Sequence, residues 1–357
     1  MLLPLKQVVL MPDFSETLVV GISSTALFDL REASRVFEEE GIDAYRKYML
    51  KRESETLLPG TGFPLVKALS RLNEHSPPGQ PLVDVRVMSQ NSPETGLPIS
   101  NSVKHYGLAV SRFIFTGGEP VSDYAAALGL DLYLSTNQLD VQQLIDADVC
   151  AAALLYPPPH GHKPSETQVR IALDGDAVVF SDESEALYKA KGLEAFFKQE
   201  SDAANSPMNP GPFYRFLLKL AKLQKRLPER IEYNNIRLAI VTARNAPADQ
   251  RVITTLRAWN LYVDAAFFLG GLPKAPVLQA FRPHIFFDDQ PVHLDAASKS
   301  VPSAQVPYKT SSPLHKPEPA ENTRAAGSEI PLRTSPADHA GANLPVEDQV
   351  PDPHLTS

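Results

Sequence analysis

Asp174 and Asp176 stand two residues apart in Leu173-Asp174-Gly175-Asp176-Ala177-Val178, directly after the apolar run Val169-Arg170-Ile171-Ala172-Leu173. Two carboxylates at a strand exit can face one crevice, one as nucleophile and one as proton carrier, with a divalent cation suppressing their repulsion. Thr242 ends a second run, Leu238-Ala239-Ile240-Val241, and offers a hydroxyl that can donate to a phosphoryl oxygen. Lys274 opens a helical stretch after Gly270-Gly271-Leu272-Pro273. An ammonium there can neutralise charge developing on a transferring phosphoryl group. Asp288 and Asp289 follow Ile285-Phe286-Phe287, and hard oxygen ligands at a strand end suit Mg²⁺. Each feature alone has a bland reading: an Asp-Gly turn, a helix N-cap ahead of Asn245 and Pro247, a surface lysine, an Asp-Asp turn. Four of them in this order, each after its own apolar run or at a helix start, favour the chemical reading.

These positions demand a scaffold that brings several strand ends to one crevice. The chain alternates short β-branched or aromatic runs with stretches of helical period, such as 183–199, 213–225 and 249–259. That alternation predicts an α/β fold, parallel strands joined by crossover helices in a doubly wound sheet. Ligands in such sheets sit beyond the carboxyl ends of the strands, where these carboxylates fall.

The pattern also occurs twice. Ile22-Ser23-Ser24-Thr25-Ala26 answers Leu173-Asp174-Gly175-Asp176-Ala177, and Gly41-Ile42-Asp43-Ala44-Tyr45 answers Gly192-Leu193-Glu194-Ala195-Phe196, both at an offset of 151 residues. Val85-Arg86-Val87-Met88-Ser89 answers Leu238-Ala239-Ile240-Val241-Thr242, Gly117-Gly118 answers Gly270-Gly271, and Ser135-Thr136 answers Asp288-Asp289, all at 153. The expectation is a tandem duplication of one parallel-sheet unit. In the first copy Ser23, Thr25, Val121, Ser135 and Thr136 replace the charged positions. That copy is expected to be inert and to serve packing, oligomer contacts or effector binding.

The expected divisions are a non-catalytic unit over 1–156, a Pro-rich linker over 157–165, a catalytic unit over 166–310 with a small helical cap at about 182–230, and a disordered tail over 311–357. The three prolines of Tyr156-Pro157-Pro158-Pro159-His160-Gly161-His162-Lys163 exclude helix and central strand. His160 and His162 lack a third ligand nearby and read as solvated linker residues. From Ser311 onward there is no aromatic residue and no sustained period, so the segment cannot bury enough surface to offset its ordering entropy.

With 357 residues, 43% of them hydrophobic, the chain can fill two cores of ordinary size. A formal charge of -8 and a pI near 5.6 give no overall reason to bind nucleic acid. The single cysteine, Cys150, lies in an apolar stretch and suits a core position in a reducing compartment. No cleavable leader is legible, and no stretch approaches the ~20 apolar residues that span a bilayer. A cytoplasmic protein without a membrane partner is expected.

The order Asp-x-Asp, Thr, Lys, Asp-Asp resembles the four-part signature of the haloacid-dehalogenase superfamily. The resemblance implies an aspartyl-phosphate on Asp174, proton transfer by Asp176, and phosphoryl-oxygen contacts from Thr242 and Lys274. It also implies a Mg²⁺ site made by Asp174, Asp288, Asp289 and the backbone carbonyl of Asp176. Longer strings narrow the likeness: Ala26-Leu27-Phe28-Asp29-Leu30, Phe63-Pro64-Leu65-Val66-Lys67-Ala68-Leu69, Asn91-Ser92-Pro93-Glu94-Thr95-Gly96, Val241-Thr242-Ala243-Arg244 and Phe286-Phe287-Asp288-Asp289-Gln290. Over roughly residues 15–310 the chain is similar to the cytosolic 5′-nucleotidase I family. Membership would imply Mg²⁺-dependent hydrolysis of nucleoside 5′-monophosphates, AMP, IMP or deoxynucleotides, and a homo-oligomer.

A cap would close over the leaving group, exclude water and carry specificity. Phe213 offers a ring for base stacking and Arg215 a cation for the phosphate, against the competing reading of a helix start that buries Phe213 and Phe216. Arg244, with Asn245 beside it, follows Thr242 and is a further candidate for substrate binding. Three other readings stay open: a related phosphatase for another small phosphomonoester, a nucleotide sensor that binds without hydrolysis, and a scaffold presenting the Pro-rich tail.

Overall fold

The structure, a computed structural model, describes residues 14–77, 79–227 and 235–316. Among them ten strands form one sheet: β1 (Leu18–Ile22), β2 (Val83–Ser89), β3 (Val110–Phe115), β4 (Leu132–Ser135), β5 (Ala151–Leu155), β6 (Val169–Leu173), β7 (Ile236–Thr242), β8 (Ala265–Phe268), β9 (Ile285–Asp288) and β10 (Ser303–Gln305). Their order is β3-β2-β1-β4-β5-β10-β9-β6-β7-β8. Neighbours run parallel except at the middle, where β5 and β10 meet antiparallel through Leu155↔Ala304 and Leu154↔Gln305. Read inward from either edge the two halves carry the same order, with β1 between β2 and β4 and β6 between β7 and β9.

Helices cover both faces, which is why the central strands are continuous apolar runs rather than alternating ones. Leu18, Val20, Ile22, Ile171 and Leu173 are fully buried. The main core runs through both halves, from Val20 and Leu134 to Ile171 and Phe287. Cys150 is half-buried against it, and burial pushes its thiol up to about 12.

The halves also match in detail. Gly41, at φ 84° and ψ -177°, joins the helices Arg31–Glu40 and Ile42–Lys51, and Gly192, at φ 79° and ψ -176°, bends the helix Glu183–Asp202 in the same way. A left-handed φ of this kind costs glycine little and other residues more. Phe28 bridges to Pro59 as Phe180 does to Pro210.

Three expectations change. Of the stretch 182–230, the helix Tyr214–Arg226 buries Phe216, Leu217 and Leu220 in the main core and packs on β1 and β5, so it is part of the body of the fold. The rest of that stretch is the bent helix Glu183–Asp202 and the loop after it, and residues 228–234 lie outside the described ones. His162 is half-buried rather than solvated, its Nε2 2.8 Å from the carbonyl of Pro283, and burial lowers its pKa. The folded body continues past 310: Thr310 N donates to Asp146 Oδ1 at 2.7 Å and Ser312 Oγ donates to Asp182, which fixes this stretch by bonds to both halves despite its composition. The rest of the tail, from 317, lies outside the described residues. Among the described residues no helix is long and apolar enough to cross a membrane.

Candidate active site

β9, β6 and β7 are consecutive in the sheet, so Asp288-Asp289, Asp174 and Thr242 leave it side by side. Asp174 N donates to Phe287 O at 2.8 Å, which ties the exit of β6 to β9. The chain then makes a wide turn over Gly175–Val179, with Ala177 at φ 58°. Lys274 arrives from the other side. Leu269 N bonds Thr242 O at 2.9 Å and Gly270 N bonds Arg244 O at 3.2 Å, while Gly270 and Gly271 take φ values of 58° and 85°. Those two glycines turn the loop so that the helix Lys274–Phe281 begins at the site.

Lys274 Nζ lies 2.9 Å from Asp174 Oδ2 and 2.7 Å from Asp288 Oδ2, and all three residues are buried. Burial opposes the charge of Lys274, but the two carboxylates outweigh it and raise its pKa. Burial lifts Asp174 to about 7, against the pull of Lys274 and with Asp288 and Asp176 adding to the rise. Asp288 is raised and Asp289 raised well above the carboxylate range, in both cases by burial first. One ammonium among three buried carboxylates leaves the cluster short of positive charge. Asp174, Asp288 and Asp289 offer oxygens within 4.8 Å of one another, and Asp289 Oδ1 has no hydrogen-bond partner among the described residues. Hard donors this close, one of them unpartnered, fit a divalent cation.

The carboxylate of Asp176 stands apart from that cluster. Arg244 donates to it twice, from Nη2 to Oδ1 at 2.6 Å and from Nε to Oδ2 at 2.8 Å. Arg244 Nη1 donates to the fully buried Glu200, whose other oxygen accepts from Ser184 Oγ at 2.8 Å and Arg251 Nη1 at 3.0 Å. Burial opposes the guanidinium charge, yet Asp176 and then Glu200 raise its pKa. Arg244, expected to contact the phosphate, is therefore committed to Asp176.

The other expected substrate contacts also move. Phe213 is fully buried, its ring 4.7 Å from that of Phe287 and 5.8 Å from that of Phe216, so the helix-start reading holds and no face is left for a base. Arg215 is exposed and pairs with Asp148 at 3.1 Å, in the seam with the first half. Asn245 is exposed beside Gly270, and its carbonyl accepts from Ala248 N at 2.8 Å.

Sequence reasoning missed Glu200, Arg251, Glu185 and Tyr308. The Tyr308 hydroxyl donates to Asp289 Oδ2 and lies 3.0 Å from Glu185 Oε1. Burial and then Asp289 raise its pKa, which keeps the hydroxyl protonated. No local signal marks their place at the site, because the contacts that bring them there, from Tyr308 to Asp289 and Glu185 and from Glu200 to Arg244 and Arg251, span between 19 and 123 positions.

In the first half the corresponding positions form a neutral set. Ser23 Oγ and Thr25 Oγ1 are 3.0 Å apart, Thr136 Oγ1 donates to Thr25 Oγ1 at 2.6 Å, and Val121 is fully buried where the second half has Lys274.

A profile of the 5′-nucleotidase family matches residues 10–313. The chain is 39% identical over 295 residues to cytosolic 5′-nucleotidase 1B of Homo sapiens, an alignment that covers 81% of this chain and 48% of that protein. The chain thus spans about half the length of this curated relative. No solved structure matches it at a significant level. The profile takes in both halves of the sheet and every strand end that carries the buried carboxylates, and the chain belongs to the cytosolic 5′-nucleotidase I family.

Proposed function

We propose that the chain hydrolyses nucleoside 5′-monophosphates to nucleoside and phosphate at the ends of β6, β7 and β9. The observation that carries this reading is Lys274 held between Asp174 and Asp288, with Asp176 gripped alongside by Arg244, in a chain of this family. A carboxylate oxygen of Asp174 bonds to phosphorus as the ester P–O bond breaks, and Asp176 gives its proton to the departing 5′-oxygen. Arg244 occupies one lone pair on each Asp176 oxygen and leaves another to carry that proton. Water then gives a proton to Asp176 and attacks phosphorus, phosphate departs, and Asp174 is again a carboxylate.

Thr242 Oγ1 accepts from Arg244 N at 3.2 Å, so its own proton is free for a phosphoryl oxygen. Lys274 brings a fixed positive charge to the oxygens that gain charge during transfer. Asp174, Asp288 and Asp289, with the backbone carbonyl of Asp176, would hold Mg²⁺, which when bound neutralises the phosphoryl oxygens and the crowded carboxylates.

On this reading the two halves, 1–156 and 166–310, are copies of one duplicated haloacid-dehalogenase-like unit joined by 157–165. The hydroxyl set of Ser23, Thr25 and Thr136 leaves the first copy without chemistry of its own, and the bent helix Glu183–Asp202 serves as the cap of the second. Phosphate release from AMP, IMP, deoxynucleotides and sugar phosphates in the presence of Mg²⁺, with Asp174→Asn run alongside, tests the proposal. Release from nucleotides that vanishes in the variant is the expected result. Equal release by the variant would remove Asp174 as nucleophile, and release from sugar phosphates alone would remove the substrate class.

A further inference from the structure

Beyond β10 the chain runs as Val306-Pro307-Tyr308-Lys309-Thr310 from the second half onto the first. Val306 is fully buried and its N–H bonds Asp288 O at 2.9 Å, so the segment leaves the sheet beside the acidic cluster. Beyond the contacts of the Tyr308 hydroxyl, its further anchors belong to the first half, whose strand ends lack the acidic cluster. Gln142 Nε2 donates to the carbonyl of Tyr308 at 2.9 Å, and Thr310 N donates to Asp146 Oδ1 at 2.7 Å. Lys309 Nζ lies 3.5 Å from Asp148 Oδ1. Gln142 and Asp146 sit on the helix Gln138–Asp146, and Gln142 Nε2 also donates to Asp146 Oδ1 at 3.1 Å.

We infer that Tyr308 is a positioning residue for the cation site and that the helix Gln138–Asp146 of the first half holds it in place. The inference rests on the proposed role of Asp289 as a metal ligand. Asp289 has two oxygens, and the Tyr308 hydroxyl takes Oδ2 while Oδ1 stays without a partner among the described residues. The hydrogen bond thereby selects which oxygen is left for a cation and fixes the rotation of the carboxylate. The tyrosine ring is rigid, and its backbone is fixed on one side by Val306 and Pro307 and on the other by Gln142 and Asp146. Outer partners of metal ligands typically account for about 10- to 100-fold in metal affinity. The first half thus acts on the site of the second while its own strand ends carry no chemistry.

The test is calorimetric titration of Mg²⁺ into the full chain, with kcat followed against Mg²⁺ concentration in parallel. Tyr308→Phe keeps the ring and removes the donor, and should weaken Mg²⁺ binding about tenfold or more. The double variant Gln142→Ala with Asp146→Ala should weaken it in the same direction. Asp146→Asn retains an acceptor for Thr310 N and should bind as the wild type does. In all of them kcat at saturating Mg²⁺ should stay within about threefold of wild type, a split that general loss of structure does not produce. An unchanged binding constant in Tyr308→Phe, or no Mg²⁺ binding by the wild type, overturns the positioning role. Weakening in Tyr308→Phe but not in the double variant overturns the part assigned to the first half. Normal Mg²⁺ binding with no phosphate release from any nucleotide would instead sink the proposed function, because the titration does not depend on turnover.

Discussion

Arg244 closes on Asp176 with two nitrogens, at 2.6 and 2.8 Å, and is itself held from behind by Glu200. The planar fork of arginine matches both oxygens of a carboxylate and fixes its rotation, which a lysine ammonium does not. A proton carrier acts at a defined distance from the leaving oxygen, so its orientation matters as much as its presence.

Arg244→Lys should therefore lower kcat by about 100-fold, near the lower end of what a positioned acid–base group contributes, with KM for the nucleotide little changed. Glu200→Gln keeps one acceptor for Arg244 and should cost about tenfold or less. Steady-state kinetics on variants whose melting curves match the wild type checks both. A raised KM with normal kcat in Arg244→Lys would return Arg244 to the role of phosphate contact.

Asp288, Asp174 and Thr242 were legible as strand-end positions because each closes an apolar run, and a run of that kind announces a buried strand. Gly41 and Gly192 were legible as matching glycines 151 residues apart, and they share a backbone conformation that few other residues take. Arg244 stands beside Thr242 in the sequence, but its carboxylate partners Asp176 and Glu200 lie 68 and 44 positions away, so local spacing does not reveal that pairing. Tyr308 was invisible for a further reason. The antiparallel seam of β5 and β10 turns the end of the chain back onto the first half, and no local pattern encodes that seam. Just beyond it, Thr310 and Ser312 find partners in Asp146 and Asp182 that the local composition does not suggest.

Phe213 separates packing from recognition. Its ring fills the space between Phe216 and Phe287, directly beneath the strand end that carries Asp288. Phe213→Ala should destabilise the fold by about 3–5 kcal/mol, the usual cost of removing a buried aromatic ring. Phe213→Leu should be milder and should leave the order of preference among nucleobases as it is in the wild type. Denaturant unfolding gives the first quantity and a nucleotide panel the second. A change of base preference in Phe213→Leu at normal stability would place the ring in the substrate pocket after all.

His284 gives the protein a titration outside the acidic cluster. It opens the loop into β9, is buried, and accepts from Arg170 N at 3.1 Å through Nδ1, a bond only the neutral ring can accept. Burial first, and then the positive charge of Arg71, lowers its pKa to about 4 from an ordinary 6.5. The unfolded chain therefore takes up a proton as pH falls through 6.5, while the folded chain resists until about 4. The contribution of neutral His284 is whole above pH 6.5 and is lost across the window down to about 4, amounting to about 3 kcal/mol at full shift. His284→Asn retains an acceptor and does not titrate, so its stability should fall less than that of the wild type between pH 7.5 and 4.5. Urea unfolding of both chains at those two pH values reads the difference. Parallel losses would mean that His284 is protonated in the folded protein as readily as in the unfolded one, and that the acid sensitivity lies in other groups.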